Sequence, residues 1–254
     1  RNLTPSDVYT AEGFGSTSTN PCGEIILSPY DSCRLMVVNL LSFVDGAYTA
    51  DAKFNFTLFG SVVQKAQRLM DDMIDIEIEQ VERILAKIDG DPEAPAVKQI
   101  EKDLWSNIKK MASRGRRTGL GVTAVGDAVA ALGVRYGTDE SIALVEEFYK
   151  ALAINAYRSS CIMAQERGAF EVFDYEREVG HPFLERIWDA APDVREMCRN
   201  HGRRNIALTT TAPAGSVSVL TQSTSGIEPA YLLMYTRRKK INRDTEPNSR
   251  VDFV

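Results

Sequence analysis

The chain has 254 residues, of which 44% are hydrophobic and 26% charged, enough to bury a sizeable core as one large domain or two small ones. Its formal net charge of -5 disfavours a surface that binds a nucleic-acid polymer, although a small anionic ligand needs only a local site. No apolar run reaches the roughly 18 residues of a membrane span and no signal peptide is recognisable, so we expect a cytoplasmic protein without a membrane partner.

The first half of the chain is predicted to contain a loop, an apolar element and two helices. Residues 1–19 are rich in Thr, Ser and Gly and predict a loop with a short strand at most. The apolar run 35–43 fits either a buried strand or the start of a helix. Helical periodicity over 62–88 and 97–111 predicts two amphipathic helices, which DGDPEAP at 89–95 separates. Their predicted stripes comprise Val62, Ala66, Leu69, Met73, Val81, Ile84, Leu85 and Ile88, and Val97, Ile100, Leu104, Ile108 and Met111.

A third helix is predicted to begin near Thr138 and Asp139 and to end at Gly168, because these residues favour helix starts and stops. The basic turn 114–117 that precedes it could contact a phosphate, but it is predicted to be solvated, as is the charged segment 237–250. The apolar stripe of the third helix is predicted to comprise Ile142, Val145, Tyr149, Leu152 and Ala156.

Two glycine-containing segments were compared with phosphate-binding motifs. TGLGVTAVGDAVAALGV at 118–134 fits neither template, because Gly126 falls too late for a dinucleotide fingerprint and Asp127 stands where a P-loop needs lysine. NIALTTTAPAGSVSVL at 205–220 predicts a strand over 206–210, a turn of small residues and a helix start. Backbone N–H groups at such a junction can bind an anion.

Four cysteines, at positions 22, 33, 161 and 198, are too few and too scattered for a disulfide scaffold in a chain of this length. With only two histidines, no zinc-ligand spacing can be assembled, so we expect no metal site. Cys161 and Cys198 are assigned to packing, because free cysteine is common in protein cores.

The loop TNPCGEIILSPYDSC at 19–33 places Cys22 between Asn20 and Glu24. A neighbouring carboxylate raises a thiol pKa, so Cys22 suits loss of a hydrogen atom better than nucleophilic attack as a thiolate. Glu24 would then be a general base on a substrate hydroxyl, with Asn20 orienting the substrate through its amide. Cys33 would act at a later step as a reductant.

The same loop also has a purely structural explanation. The sequence N-P-C-G is an ordinary turn, and a single cysteine is usually a small hydrophobic residue. From the chemistry of these residues alone, the structural explanation of the loop is favoured.

Four motifs in order along the chain resemble those of the ribonucleotide reductase large (catalytic) subunit. The N-P-C-G-E spelling is most similar to the class II, adenosylcobalamin-dependent enzymes. Because four ordered motifs are more specific than one, the resemblance favours the catalytic interpretation of the loop. The motifs are Asn20-Pro21-Cys22-Gly23-Glu24 with Ser28-Pro29-Tyr30 and Cys33, Arg116-Arg117-Thr118-Gly119-Leu120-Gly121, Ala212-Pro213-Ala214-Gly215-Ser216-Val217-Ser218, and Ser225-Gly226-Ile227-Glu228-Pro229.

The resemblance implies an α/β fold that is part of a ten-stranded α/β barrel of two five-stranded halves. Residues 1–254 would form one partial barrel domain, mainly the second half, with the finger loop 19–33 through its centre. The turn 212–218 would bind the substrate phosphates through backbone N–H groups. The substrate-binding residues implied in this way are Gly23, Pro213, Ala214, Gly215, Ser216 and Val217.

The resemblance also implies roles for four residues in radical reduction of ribonucleotides to 2′-deoxyribonucleotides. Cys22 would be the transient thiyl radical that abstracts the 3′-hydrogen, Glu24 would take the 3′-hydroxyl proton, and Asn20 would hold the sugar. Cys33 matches one half of the pair that supplies the electrons. The implied partners are a ribonucleoside di- or triphosphate, adenosylcobalamin and a thioredoxin-type reductant, and the full subunit could be a homodimer.

Departures from the family pattern suggest a partial chain. The partner of Cys33 would lie upstream of the finger loop, yet no cysteine precedes Cys22. Met36 replaces a glycine beside the loop, and Ala214 and Ser216 replace two threonines of the phosphate turn. We therefore expect a segment that is inactive alone and needs a complementary chain carrying the rest of the barrel.

Two alternatives stay open at this point. The chain could belong to a class I catalytic subunit, in which the radical arrives from a separate radical-generating subunit. It could also be a non-catalytic assembly fragment that only binds a partner chain.

Overall fold

A computed structural model describes residues 4–32, 34–232, 234 and 236, and shows a mixed α/β fold. Cys33 and the charged segment 237–250 therefore lie outside the described residues. None of the described helices is both long enough and apolar enough to cross a bilayer. The strands are β1 (Ser18–Thr19), β2 (Ile26–Leu27), β3 (Leu35–Asn39), β4 (Val44–Asp45), β5 (Lys53–Phe54) and β6 (Gly119–Thr123). The α-helices are α1 (Phe56–Gly90), α2 (Pro95–Gly115), α3 (Val125–Ala131), α4 (Asp139–Arg167), α5 (Tyr175–Glu178), α6 (Pro182–Ala190), α7 (Pro192–His201) and α8 (Gly215–Thr221), and 3₁₀ helices cover Pro5–Glu12 and Leu40–Phe43.

Parallel backbone pairing forms the centre of the fold. β3 and β6 pair in parallel, with Val37 opposite Gly121, and the long helices α1 and α2 make the crossover between them. On the other side of β6, Leu120 forms a parallel bridge with Thr209, so the strand predicted over 206–210 is present only as one bridge. Within the described residues these segments do not close into a barrel.

Close backbone approach between β6 and the 208–210 segment requires glycine at position 121. A Cβ atom there would lie 2.3 Å from the carbonyl oxygen of Thr210. The N–H of Leu120 donates to the Leu208 oxygen at 2.8 Å, and the N–H of Thr210 donates to the Leu120 oxygen at 3.0 Å. Two segments nearly 90 residues apart in sequence are thereby fixed side by side.

The two long predicted helices are confirmed, but part of each predicted stripe is wrong. Leu69 is 56% exposed and Met73 is 42% exposed, because packing against α4 and β3 turns adjacent positions of α1 inward. On α2, three predicted stripe residues are exposed: Val97, Ile100 and Leu104. The inward face of α1 comprises Phe59, Val63, Ala66, Met70, Ile74, Val81 and Ile88.

The predicted ends of the third helix are confirmed in α4. The Thr138 side chain caps its first turn, and Gly168 follows its last residue with φ +88°, a conformation that favours glycine. Ile142, a predicted core residue, is instead 61% exposed. Phe148 takes the core position, because its ring packs 4.4 Å from that of Phe54 within an aromatic cluster between α1 and α4.

The basic turn 114–117 is not solvated, which corrects the sequence-based expectation. Arg116 donates to Asp71 on α1 at 2.8 Å, and Arg117 donates to Asp31 at 2.6 Å. All four side chains of these two ion pairs are buried. The expectation failed because both carboxylates come from distant parts of the chain.

Cys161 on α4 and Cys198 on α7 lie in the main hydrophobic core, fully shielded from solvent. Hydrogen bonding to the Cys198 thiol, and secondarily burial, raise the pKa of the Cys161 thiol. Since the thiolate is the nucleophile, both effects suppress its reactivity.

We expect iodoacetamide at pH 8 to alkylate Cys22, which is exposed, while Cys161 and Cys198 stay unmodified in the folded protein. Peptide mass spectrometry after timed quenching measures this selectivity, and urea-unfolded protein serves as the control in which all three react. Equal alkylation rates at Cys22 and Cys161 in folded protein would contradict the buried pair.

Candidate active site

The predicted finger loop forms a hairpin with Cys22 at its apex. β1 and β2 pair antiparallel, and the Asn20 N–H donates to the Ile25 oxygen at 3.1 Å. The Gly23 N–H donates to the Asn20 oxygen at 3.0 Å, and Gly23 adopts φ +78° in the tight turn. The Asn20 side-chain oxygen accepts from the Ile25 N–H at 3.3 Å. This bond uses the Asn20 side-chain oxygen and not its NH₂ group.

Cys22 and Glu24 present complementary chemistry beside each other. The Cys22 side chain is exposed at the apex of the hairpin. Oε2 of Glu24 is shielded from solvent and has no hydrogen-bond partner among the described residues. A shielded carboxylate oxygen without a donor is available to accept a proton from a substrate hydroxyl.

Thr210 joins the hairpin to the predicted phosphate turn. Its hydroxyl donates to the main-chain oxygen of Glu24 at 2.6 Å. Since Thr210 precedes Pro213 by three residues, this bond connects the apex of the hairpin with the segment that enters the turn. Thr210 was not predicted as a site residue, because one threonine within T-T-T carries no local signal of such a contact.

The predicted phosphate turn leads into α8, with three N–H groups available. Within the described residues, the N–H groups of Gly215, Ser216 and Val217 have no acceptor, as expected for the first turn of a helix. Pro213 has no N–H, and the Ala214 N–H donates to the Ser225 oxygen at 2.9 Å. The last three residues of the predicted set are therefore the ones with donors to offer.

A cavity of 410 Å³ lies between the turn and the start of β3. Met36 lines it, so this residue adds bulk at the position where the sequence comparison expected a glycine. Asn20, Cys22 and Glu24 are not among its lining residues, so the hairpin and the turn are connected through Thr210 and do not share this cavity. Its lining comprises Leu35, Met36, Val37, Ala212, Pro213, Ala214, Gly215, Ser216 and Val217.

The segment 118–134, which fits neither phosphate-loop template, contacts the chain that follows α8. Asp127 accepts hydrogen bonds from the Thr224 N–H at 2.7 Å and the Thr224 hydroxyl at 3.1 Å. A Cβ atom at Gly126 would lie 2.5 Å from Cα of Pro229, so only glycine fits there. Both residues therefore hold the S-G-I-E-P motif against α3.

Two arginines hold the chain on either side of position 33. Arg34 forms a paired contact with Glu77 on α1, at 2.5 and 2.7 Å. Arg34 also donates to the main-chain oxygen of Arg117 at 3.1 Å, while Arg117 itself pairs with Asp31. The loop that carries the predicted second cysteine is thereby fixed to α1 and to the start of β6.

The described residues show neither a metal-binding cluster nor a described cavity at Cys22. Among them, no group of three or more His, Cys, Asp or Glu side chains is placed to hold a metal ion. Cavities of 420, 410 and 330 Å³ are described, and Cys22 lines none of the three. Neither observation identifies, among the described residues, side chains that would hold adenosylcobalamin.

Parallel strands joined by long helical crossovers define an α/β domain, in which Thr210 connects the cysteine hairpin to the turn before α8. A family description, "Ribonucleotide reductase, barrel domain", matches residues 15–252. The chain therefore belongs to the ribonucleotide reductase barrel-domain family.

Relatives and a solved structure agree with this family. The chain is 28% identical over 220 residues to a vitamin B12-dependent ribonucleoside-diphosphate reductase of Mycobacterium tuberculosis, covering 87% of this chain and 25% of the relative. It is 22% identical over 269 residues to a ribonucleoside-diphosphate reductase subunit alpha of Chlamydia trachomatis, covering 96% of this chain and 23% of the relative. The chain thus spans about a quarter of the length of these relatives.

The fold is similar to that of the Actinobacillus ureae class Id ribonucleotide reductase alpha subunit. The TM-score is 0.57 at 19% identity, over 88% of this chain and 34% of the solved chain. At this identity, the similarity concerns the fold alone.

Proposed function

We propose that this chain is a segment of a ribonucleotide reductase catalytic subunit, which reduces ribonucleotides to 2′-deoxyribonucleotides for DNA synthesis. The observation that carries the proposal is the hairpin with an exposed Cys22 at its apex beside the unpartnered carboxylate oxygen of Glu24. Family membership over residues 15–252 supports the same assignment. The names of the relatives favour a ribonucleoside diphosphate as substrate.

In the proposed mechanism, a thiyl radical on Cys22 takes the hydrogen atom from C3′ of the ribose. Glu24 accepts the 3′-hydroxyl proton, while the NH₂ group of Asn20 holds the sugar. The bond between C2′ and its hydroxyl breaks, and the oxygen leaves as water. Cys33 and a second thiol from the rest of the subunit supply two electrons and two protons and become a disulfide. One proton leaves with the water, the other becomes the new hydrogen on C2′, and Glu24 returns its proton to the 3′ oxygen. Cys22 then returns a hydrogen atom to C3′, which regenerates its radical.

The substrate phosphates are proposed to lie at the turn 212–218. The N–H groups of Gly215, Ser216 and Val217 support this placement, because three donors in one turn match the oxygens of a phosphate group. The Thr210 hydroxyl would fix the distance between this turn and Glu24.

The complete subunit is proposed to form the ten-stranded barrel, with this chain, 1–254, supplying mainly the second half. β3, β6 and the 208–210 segment would be three of its parallel strands, and the hairpin within 19–33 would lie at its centre. The remaining strands and the second reducing cysteine would come from a complementary chain region. A thioredoxin-type reductant, a cytoplasmic location and a homodimer of the full subunit complete the proposal.

Adenosylcobalamin is the radical source that we favour, because the Mycobacterium tuberculosis relative is named as vitamin B12-dependent. A separate radical-generating subunit is the second candidate, supported by the Chlamydia trachomatis relative, whose name specifies a subunit alpha. The residues that would bind the coenzyme are expected in the complementary part of the subunit.

Reconstitution tests the proposed function. The chain together with its complementary part, a dithiol and adenosylcobalamin is expected to convert ribonucleoside diphosphates to deoxynucleotides, whereas the chain alone is expected to form none. Product is measured by chromatography, and electron paramagnetic resonance identifies the radical source. A cobalt-coupled thiyl signal supports the coenzyme, and a tyrosyl-type signal that requires another subunit supports the second candidate. Absence of product under both conditions would reject the function.

A further inference from the structure

We infer that Arg117 is a positioning residue for the Cys22 hairpin, acting through the return strand β2 and the loop that follows it. The inference rests on the proposed function of Cys22. Arg117 lies between α2 and β6, more than 90 residues from the hairpin in sequence, and was expected to be solvated.

One guanidinium group contacts the hairpin side at two points. Nε of Arg117 donates to Oδ2 of Asp31 at 2.6 Å, and both side chains are only 1% exposed. Nη1 of Arg117 lies 3.4 Å from the main-chain oxygen of Ile26, which belongs to β2. Because a guanidinium is planar, two contacts in different directions restrict both the position and the orientation of the hairpin base.

The support behind Arg117 is itself fixed by main-chain hydrogen bonds. Thr118 N–H donates to the Ala207 oxygen at 2.9 Å, and Gly119 N–H donates to the Arg34 oxygen at 2.8 Å. Arg34 donates in turn to the Arg117 oxygen at 3.1 Å. The backbone at Arg117 is therefore fixed to the parallel strands, and its side chain holds the hairpin in a defined position relative to them.

The chemistry of Arg117 indicates a role beyond stability. Its Nη2 group is buried and has no partner among the described residues. A buried donor without a partner is unfavourable, and buried ion pairs are often replaceable by apolar side chains without loss of stability. An apolar side chain could not donate hydrogen bonds to Asp31 and to the Ile26 carbonyl, and these bonds have defined directions.

Arg116 provides a matched control within the same motif. It is as buried as Arg117 and also pairs with an aspartate, but that aspartate is Asp71 on α1. It adopts a left-handed conformation, φ +49°, and donates as well to Asp75 on the same helix. Among the contacts described for Arg116, none reaches the hairpin.

A positioning role for Arg117 and a purely structural role for Arg116 predict different kinetic results in the full-length subunit. Arg117→Gln is expected to lower kcat at least about tenfold, because Cys22 is no longer held at the reacting carbon. The KM for the nucleotide is expected to change less than about twofold, because the phosphate turn keeps its donors. Arg116→Gln is expected to lower the melting temperature yet leave kcat within about twofold.

Two further variants keep the test decisive if Arg117→Gln folds poorly. Arg117→Lys keeps the charge for Asp31 but cannot reach both acceptors, so it is expected to recover part of kcat. Asp31→Asn is expected to lower kcat in the same way, and the double variant Asp31→Asn/Arg117→Gln should be no slower than Arg117→Gln. Equal loss of kcat in the Arg116 and Arg117 variants, or a loss confined to KM, would overturn the inference. An inactive wild-type subunit would instead reject the proposed function.

Discussion

Cys22→Ser in the complete subunit is expected to reduce deoxynucleotide formation by more than about 10³-fold, because a serine hydroxyl does not yield the radical that a thiol can form. The measurement is product formation per radical centre, with nucleotide binding determined in parallel. Binding is expected to be unchanged, because the substrate phosphates are proposed to contact the turn at 212–218. Fold stability is also expected to hold within about 0.5 kcal/mol, since the side chain is exposed.

Ser18→Ala is the control for this experiment. Ser18 is an exposed residue of the same hairpin, in β1, and its substitution is expected to leave turnover within about twofold. Unchanged deoxynucleotide formation by the Cys22→Ser subunit would refute the radical role of this cysteine. Equal losses in the two variants would show that hairpin integrity, and not the sulfur, is being measured.

Glu178→Gln is expected to lower the free energy of unfolding by about 3–5 kcal/mol, because it leaves the Arg203 cation buried without a counter-charge. Glu178 and Arg203 are both fully buried, with Nε of Arg203 3.1 Å from each carboxylate oxygen. The hydroxyl of Tyr9 donates to the same carboxylate at 2.7 Å. Burial first, and the adjacent Glu178 charge second, raise the pKa of Tyr9, so it stays a neutral donor.

Urea unfolding followed by tryptophan fluorescence measures this loss. Glu166→Gln is the matched control, because Glu166 pairs with Arg68 at 2.7 Å on the surface, where such pairs contribute about 0–1 kcal/mol. If the two variants lost similar stability, the buried pair of Glu178 and Arg203 would contribute no more than a surface ion pair.

Local periodicity was sufficient to predict the three long helices α1, α2 and α4, but not the short helices α3, α5, α6 and α7. The start of α4 at Thr138 and its stop at Gly168 follow from capping chemistry, which depends on neighbouring residues only. The buried faces were harder to predict, since Leu69 and Ile142 satisfy the helical pattern yet point to solvent. Which face turns inward depends on the neighbouring helix, which the pattern of one helix does not specify.

The candidate site also has parts that the sequence predicts and parts that only the structure shows. The hairpin around Cys22 and the turn before α8 were recognised from contiguous motifs. The contacts that hold them, from Arg117 to Asp31 and from Thr210 to Glu24, join residues 86 and 186 positions apart. No spacing rule along the chain links such pairs, so only the folded structure reveals them.

The absence of a side chain at Gly121 has a consequence for Glu24, the proposed catalytic carboxylate. A methyl group at this position would meet the carbonyl oxygen of Thr210, whose hydroxyl is bonded to the backbone of Glu24. Widening the gap between those strands would therefore also displace Glu24, the proposed proton acceptor. The position of Glu24 thus depends on a residue that has no proposed contact with the substrate.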